Sequence, residues 1–198
     1  MRITAGEHVG RRIGLREGKG TVVQSRAANP DDAEAIARIY NEGIEERIAT
    51  FETSLRKARE IKAWFDGTHP VVVVEEDGKV ISFANTSAYN SRGCYSGVAE
   101  FSVYTASEAR SRGAGKLAMK ALMQAAEEAG FWKLLSRVFV ENTPSRELLI
   151  SLGFREVGVH EKHARLDGVW RDVVVVERLL PANASQLLSP STCQLSVC

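Results

Sequence analysis

Glycines and basic residues are interleaved directly after an apolar run in the middle of the chain. Residues 98–105 read as a strand, and the next segment follows the pattern Arg-x-x-Gly-x-Gly from Arg110 to Gly115. A stretch rich in alanine and leucine follows with helical spacing, so the glycines open a helix. The first N–H groups of a helix lack partners within it and lie at the positive end of its dipole. The segment therefore predicts a site for an anion, above all a pyrophosphate.

The side chains of this loop support the same prediction. Gly113 and Gly115 let the backbone approach an anion closely because no Cβ intervenes, and the basic side chains add positive charge. We expect the loop to contact its ligand through Arg110, Ser111, Arg112, Gly113, Ala114, Gly115 and Lys116. The Gly-Lys-Ser/Thr ending of a Walker loop and the full Gly-x-Gly-x-x-Gly of a dinucleotide site are both missing. An ordinary strand–turn–helix connection with surface arginines is the alternative.

One carboxylate interrupts the apolar strand just before this loop. Glu100 stands between Ala99 and Phe101, and apolar surroundings make a carboxylate a better proton acceptor. Such a group suits the removal of a proton from an incoming ammonium. The sequence therefore predicts Glu100 as a general base. The alternatives are a carboxylate on the solvent face of the strand and one paired with an arginine.

Further candidates flank the same strand. The backbone of Val103, Tyr104 and Thr105 would contact an extended ligand that lies along the strand. Asn142 follows the next predicted strand and could bond to that ligand, or cap the helix that starts after it. Arg92, in the loop before the strand with Tyr95, could hold a carboxylate or an oxyanion bidentately, or be a solvated charge.

No metal site is predicted. His160 and His163 are three residues apart near the end of the chain, and in a regular strand such residues point to opposite faces. No aspartate or cysteine nearby completes a ligand set. Cys94, Cys193 and Cys198 form neither metal spacing nor an even disulfide framework, so a reducing cytoplasm is the expected compartment.

Length and composition bound the remaining possibilities. The 198 residues, of which 44% are hydrophobic and 26% charged, suit one globular domain. A net charge of +1 gives no reason to expect nucleic acid or an anionic membrane as a partner. No apolar run reaches the roughly 18–20 residues of a membrane span.

The order of predicted elements defines the fold class. Residues 1–20 lack a period and read as a disordered or foreign leader, and the polar tail 181–198 reads as disordered. Between them, residues 21–180 follow the order β-α-α-β-β-β-α-β-α-β-β. That order predicts an α/β (α+β mixed) domain, with a mixed, mostly antiparallel sheet and helices on both faces.

These motifs together resemble a known family. The Arg-x-x-Gly-x-Gly loop resembles the coenzyme A pyrophosphate loop of GNAT acyltransferases, and the chain as a whole is similar to their phosphinothricin N-acetyltransferase branch, especially the arsinothricin-resistance enzymes. The matching segments are residues 39–44, 49–53, 92–95, 99–104, 110–115, 128–131, 141–142, 151–154 and 166–173. They are spread over about four fifths of the chain.

The resemblance implies a GNAT fold and acetyl-CoA-dependent acetylation of the α-amine of a glutamate analogue, either arsinothricin or phosphinothricin. Antibiotic or herbicide resistance and a homodimer would accompany that activity. Arg92 would hold an acidic group of the substrate, Tyr95 and Phe51 would line its pocket, and Glu100 would accept the proton. One departure is Asp167, where phosphinothricin enzymes carry a histidine.

Two other functions stay open. The substrate could be another small amino acid such as methionine sulfoximine. Alternatively, the domain could be a sensor that binds acyl-CoA without catalysis.

Overall fold

One mixed sheet runs through the part of the chain that the computed structural model describes, residues 13–16 and 22–184. Its strands, in chain order, are β1 Ile13–Arg16, β2 Val22–Ala27, β3 Val71–Glu76, β4 Lys79–Ala88, β5 Val98–Thr105, β6 Lys133–Phe139, β7 Arg155–Leu166 and β8 Val169–Leu179. The helices are α1 Ala33–Glu46, α2 Ala58–Lys62, α3 Ala114–Glu128, α4 Thr143–Ser151 and α5 Pro181–Ala184. Short 3-10 turns span Pro30–Asp32, Gly93–Tyr95 and Ser107–Ala109.

The strands lie in the order β1-β2-β3-β4-β5-β6-β8-β7, and all neighbouring pairs except β5 and β6 are antiparallel. In β4, every residue from 80 to 86 is buried. A strand buried along its whole length must be covered on both faces. The predicted mixed sheet with helices on both faces is therefore confirmed.

The parallel pair is short, and this fixes the shape of the sheet. β5 and β6 pair only at Val98–Lys133, Ala99–Leu134 and Glu100–Leu135. Beyond that point β5 continues to Thr105 beside β4, and β6 continues to Phe139 beside β8. Because each strand follows its other neighbour, the two diverge and leave an opening in the middle of the sheet.

Helix α1 begins with a cap formed by Asn29 and Asp32. The Asn29 side chain accepts a hydrogen bond from the N–H of Asp31 at 2.8 Å, and Asp32 accepts one from the N–H of Asn29 at 2.9 Å. This reciprocal cap opens the Pro30–Asp32 turn, which leads into α1. The helix then buries six residues, among them Ile36, Ile39 and Ile44, in the main core.

Both ends of the domain extend further than predicted. Ile13–Arg16 pairs with β2, although the sequence assigns these residues to an unstructured leader. In the predicted disordered tail, Pro181–Ala184 is helical, because the Asn183 side chain donates to the carbonyls of Glu127 and Phe131. Composition does not reveal such contacts. The rest of 1–21 and residues 185–198 lie outside the described residues. Over the described chain, no helix is long and apolar enough to cross a membrane.

Candidate active site

A cleft of about 380 Å³ lies where β5 and β6 diverge. Five separate segments of the chain contribute to its wall: α1, the connection from α1 to α2, β5, β6 and β7. The lining residues are Tyr40, Ala49, Thr50, Phe51, Glu52, Glu100, Phe101, Ser102, Tyr104, Ser136, Arg137, Phe139 and His163.

The glycine-rich loop follows directly from the end of β5. Ser111 and Gly113 both have positive φ, +61° and +86°, so the backbone turns sharply before α3 begins at Ala114. Gly113 provides no side-chain cap, which leaves the first N–H groups of α3 for a ligand. A Cβ on Gly115 would lie 3.1 Å from Thr105 Oγ1. The glycine thus lets the helix start approach β5, and the loop fits a pyrophosphate.

Two of the three basic side chains in this loop are held by carboxylates. Arg110 Nη2 lies 2.9 Å from Glu46 Oε2, and Arg112 pairs with Glu76. Lys116 is exposed. The arginines therefore fasten the loop to the ends of α1 and β3, a role that the sequence does not predict. Part of their charge is compensated there.

Glu100 faces the cleft beside an arginine. Its Oε1 lies 2.8 Å from Arg137 Nη1, and the two side chains are 30% and 38% exposed. The expectation of apolar walls around Glu100 is wrong, because β6 places a guanidinium across the point of divergence. The arginine-paired alternative describes the resting geometry.

Tyr104 contributes its side chain as well as its backbone. Its ring stacks on Phe83 at 5.5 Å and meets Tyr40 edge to face at 4.8 Å. Gly43 makes this possible, since a Cβ there would lie 2.8 Å from the Tyr104 ring. Burial, together with neighbouring Tyr40, raises the pKa of the Tyr104 phenol above its ordinary value. At neutral pH Tyr104 is therefore a hydrogen-bond donor.

The other two strand residues expected to contact the ligand, Val103 and Thr105, have neighbours in β4 and in the loop. Val103 pairs with Ala84 across β4 and β5, and the Thr105 hydroxyl bonds to Ser82 at 2.9 Å. The Thr105 carbonyl accepts a hydrogen bond from Arg110 Nε at 3.2 Å.

Phe51 lies in the cleft. Its ring meets Phe139 edge to face at 4.8 Å and lies 6.2 Å from the His163 ring. Two contacts position the segment that carries it. Asn142 caps α4 through Ser145 N at 3.3 Å and donates to the Ile48 carbonyl at 3.2 Å. Asn142 thus acts as the predicted helix cap and holds the connection after α1.

Arg92 and Tyr95 do not line the cleft of the single chain. Both are exposed in the connection from β4 to β5, and the Tyr95 ring packs against Tyr89 at 5.5 Å. That connection precedes Val98, at the end where β5 and β6 are still paired. Closeness to Glu100 in sequence does not bring these side chains to the opening, because the cleft begins on the far side of Glu100.

A bulge in β7 brings a histidine into the cleft. The register with β8 shifts between His160 and Ala164, Lys162 takes a φ of +48°, and its N–H bonds to Asp172 at 2.7 Å. The His160 and His163 rings lie 5.3 Å apart, so the prediction that they point to opposite faces is wrong. No group of three or more potential metal ligands exists among the described residues. A regular strand pattern could not reveal the bulge.

Asp167 has a structural partner. Its Oδ2 lies 3.2 Å from Arg47 Nε, and Arg47 Nη1 donates to the Glu52 carbonyl at 3.2 Å. The β7–β8 turn is thereby tied to the segment that carries Phe51. In this chain Asp167 anchors the wall of the cleft and does not line it.

Comparison with known proteins agrees with this geometry. The model of the acetyltransferase (GNAT) family matches residues 36–154. A phosphinothricin N-acetyltransferase of Alcaligenes faecalis is 31% identical over 170 residues, covering 83% of this chain and 85% of that protein. An L-methionine sulfoximine/L-methionine sulfone acetyltransferase of Salmonella typhimurium is 25% identical, covering 81% and 96%.

The fold has close structural neighbours too. The crystal structure of a GNAT superfamily phosphinothricin acetyltransferase from Sinorhizobium meliloti in complex with acetyl-CoA gives a TM-score of 0.78 at 26% identity, covering 88% of this chain and 97% of that one. The chain belongs to the acetyltransferase (GNAT) family. It is an N-acetyltransferase of the phosphinothricin and amino-acid type, and acetyl-CoA is its co-substrate.

Proposed function

We propose that this enzyme acetylates the α-amine of a glutamate analogue, phosphinothricin or arsinothricin, and so confers resistance to it. The observation that carries the proposal is the cleft of about 380 Å³, which holds Glu100 and Arg137 next to the glycine-rich loop. Its size suits a small amino acid, and its charges suit an acceptor that has both an ammonium and acidic groups. The Alcaligenes relative, a phosphinothricin N-acetyltransferase, supports the same substrate class.

Each part of the site has a task in this reaction. Bound acetyl-CoA supplies the acetyl group, and the start of α3 with residues 110–116 would hold its pyrophosphate. In the overall step a C–N bond forms, the thioester C–S bond breaks, and the nitrogen loses two protons: one leaves the ammonium before attack and the other ends on the departing thiolate. Glu100 would accept the first proton. Tyr104, protonated at neutral pH, would donate a hydrogen bond inside the cleft.

The proposed contact of Arg92 and Tyr95 with the substrate depends on one condition. They could contact substrate only if it extends past the closed end of the cleft or if a partner subunit contributes, because neither lines the opening of one chain. A homodimer is part of the proposal. Supporting it, all of β7 from Arg155 to Arg165 is exposed or half-exposed, with Val157 and Val159 about half exposed at the sheet edge. Light scattering on the purified protein measures the subunit number.

A cytoplasmic location completes the proposal. Cys94 is a free, exposed thiol, and such thiols persist in reducing compartments.

The second candidate substrate is methionine sulfoximine, supported by the Salmonella relative. A thiol-release assay with acetyl-CoA and a panel of amines decides between the candidates. The panel holds phosphinothricin, arsinothricin, methionine sulfoximine, ordinary amino acids and a neutral amine. We expect the highest kcat/KM for one of the two glutamate analogues. A clear preference for the neutral amine would contradict the proposal, and tight acetyl-CoA binding without thiol release would favour a sensor.

A further inference from the structure

Arg137 is the one arginine or lysine among the residues that line the cleft in the described chain. It lies in β6 two residues before Phe139, so the two side chains share a face of the sheet. Phe139 packs on Phe51 within the cleft, and Arg137 reaches Glu100 at 2.8 Å. The other carboxylate of the lining, Glu52, is held by Arg56 at 2.6 Å. Arg56 does not line the cleft, so Arg137 and Glu100 are the ion pair of which both members do.

Stability alone is a weak reason for this pair. Both side chains are about a third exposed, and ion pairs of that kind contribute little to folding because solvent screens them. The same weakness means that a ligand with matching charges can replace the pair at little cost. An adjacent cation and anion in a ligand cleft present a complementary surface to a zwitterion.

An α-amino acid is such a zwitterion. Its nitrogen and its carboxyl carbon are about 2.5 Å apart, from the standard N–Cα and Cα–C bond lengths and the angle between them. Glu100 and Arg137 are neighbours, with charged atoms 2.8 Å apart, so the two charged groups of one amino acid are close enough together to reach one of them each. A bound amino acid can thus turn its ammonium to Glu100 and its carboxylate to Arg137, each with a charge-assisted hydrogen bond.

We propose that Arg137 is the specificity-determining residue that binds the α-carboxylate of the acceptor amino acid. This inference rests on the proposed function. In the absence of substrate, Arg137 forms an ion pair with Glu100. When the substrate binds, Arg137 turns to the α-carboxylate and leaves Glu100 beside the ammonium that must lose a proton. One exchange of partners then both recognises an amino acid and frees the base.

The inference differs from the role predicted for Arg92. Arg92 is exposed and does not line the cleft, whereas Arg137 already lies beside the predicted base. A substrate side chain with its own acidic group could still extend towards other cations. The α-carboxylate, fixed next to the reacting nitrogen, must lie near Glu100 and therefore near Arg137.

A substrate pair tests the inference: L-phosphinothricin and its α-carboxamide, which keeps the amine but loses the α-charge. Thiol release gives kcat/KM for both with wild type, Arg137→Gln, Arg137→Lys and Arg38→Gln. Arg38 is the matched control, since its side chain is 40% exposed, pairs with Glu42 at 2.9 Å and lies outside the cleft. Circular dichroism confirms that each variant is folded.

We expect Arg137→Gln to lower kcat/KM for the acid by about 10- to 100-fold, since a hydrogen bond to a charged group is worth about 1.5–3 kcal/mol. The value of kcat/KM for the carboxamide should fall far less, so the ratio of kcat/KM for the acid to that for the amide falls sharply. Arg137→Lys should lie between the two, because lysine keeps the charge without the fork. Arg38→Gln should leave the ratio unchanged.

Equal losses for acid and amide would overturn the inference, because Arg137 would then only position Glu100. The inference would also be overturned if the preference for the acid over the carboxamide disappeared in Arg92→Gln but remained in Arg137→Gln. A wild-type preference for the carboxamide would overturn it as well, because the α-carboxylate would then not be recognised. Failure of the proposed function looks different: wild-type enzyme would release no thiol with phosphinothricin, its carboxamide or arsinothricin.

Discussion

The glycine-rich loop and the acceptor cleft lie side by side but are built in opposite ways. The proposed ligand-binding groups of the loop all come from residues 110–116, one continuous stretch whose shape depends on backbone angles at Ser111 and Gly113. The cleft takes its wall from five segments that are up to 123 positions apart, between Tyr40 and His163. A local element can keep its function when its surroundings change, whereas an assembled one depends on every contact that holds its segments together.

The largest effect is expected at the base. Glu100→Gln should lower kcat by about 10²–10⁴-fold, the range for loss of a general base, while acetyl-CoA affinity stays the same because the loop is separate. Thiol-release kinetics and titration of acetyl-CoA measure the two effects. Glu128→Gln, on the exposed side of α3, is the control. Full turnover of Glu100→Gln at both neutral and high pH would remove Glu100 from the chemistry.

The closed end of the β5–β6 pair should be the most fragile support of the cleft. A Cβ on Gly97 would lie 1.9 Å from the Trp132 ring, so Gly97→Ala should lower the free energy of unfolding by about 1–3 kcal/mol or more, the usual cost of overpacking. Gly93→Ala, four residues earlier with nothing within 4 Å of its new Cβ, should be nearly neutral. Urea unfolding measures both. Equal free energies of unfolding for the two variants would show that the strands separate enough to accommodate the new Cβ beside Trp132 at no cost in free energy.

A matched pair of glycines separates backbone strain from loop function. Gly113 and Gly67 have φ of +86° and +79°, with open space around a new Cβ at each. Alanine at either position should cost about 1–2 kcal/mol of stability. Only Gly113→Ala should also raise the KM for acetyl-CoA, by about tenfold, or about 1.4 kcal/mol. The same KM in both variants would mean that residues 110–116 do not bind the co-substrate.

The smallest effect is expected from the histidine in the cleft. Partial burial, with Arg137 and His160 nearby, lowers the pKa of His163. The unfolded chain therefore binds a proton at this residue more readily than the native one. Stability present above pH about 6.5, the ordinary value for histidine, is then lost as the pH falls. His163→Gln should lose less stability than wild type between pH 7 and 5 in urea titrations. If the free energies of unfolding of wild type and His163→Gln changed with pH in parallel, His163 would be fully solvated in the native state.

Much of the candidate site depends on features that no pattern in the sequence displays. Glu100 could be predicted because a lone carboxylate in an apolar strand stands out. Arg137 could not, because an arginine in an alternating strand is ordinary until β6 diverges from β5 and points it at Glu100. His163 depends on the β7 bulge, and Tyr40 on the docking of α1, which Gly43 permits by leaving room for Tyr104.

The sequence by itself determined most of the elements and the glycine-rich loop. The Asn29 cap and the position of Gly113 before α3 are local, so neighbouring residues suffice to specify them. Only the tertiary structure decided the acceptor cleft. The cleft exists because β5 pairs with β6 over three positions and then follows β4 away. That choice between partners is made by packing across the whole sheet, and it selects which charged side chain meets Glu100.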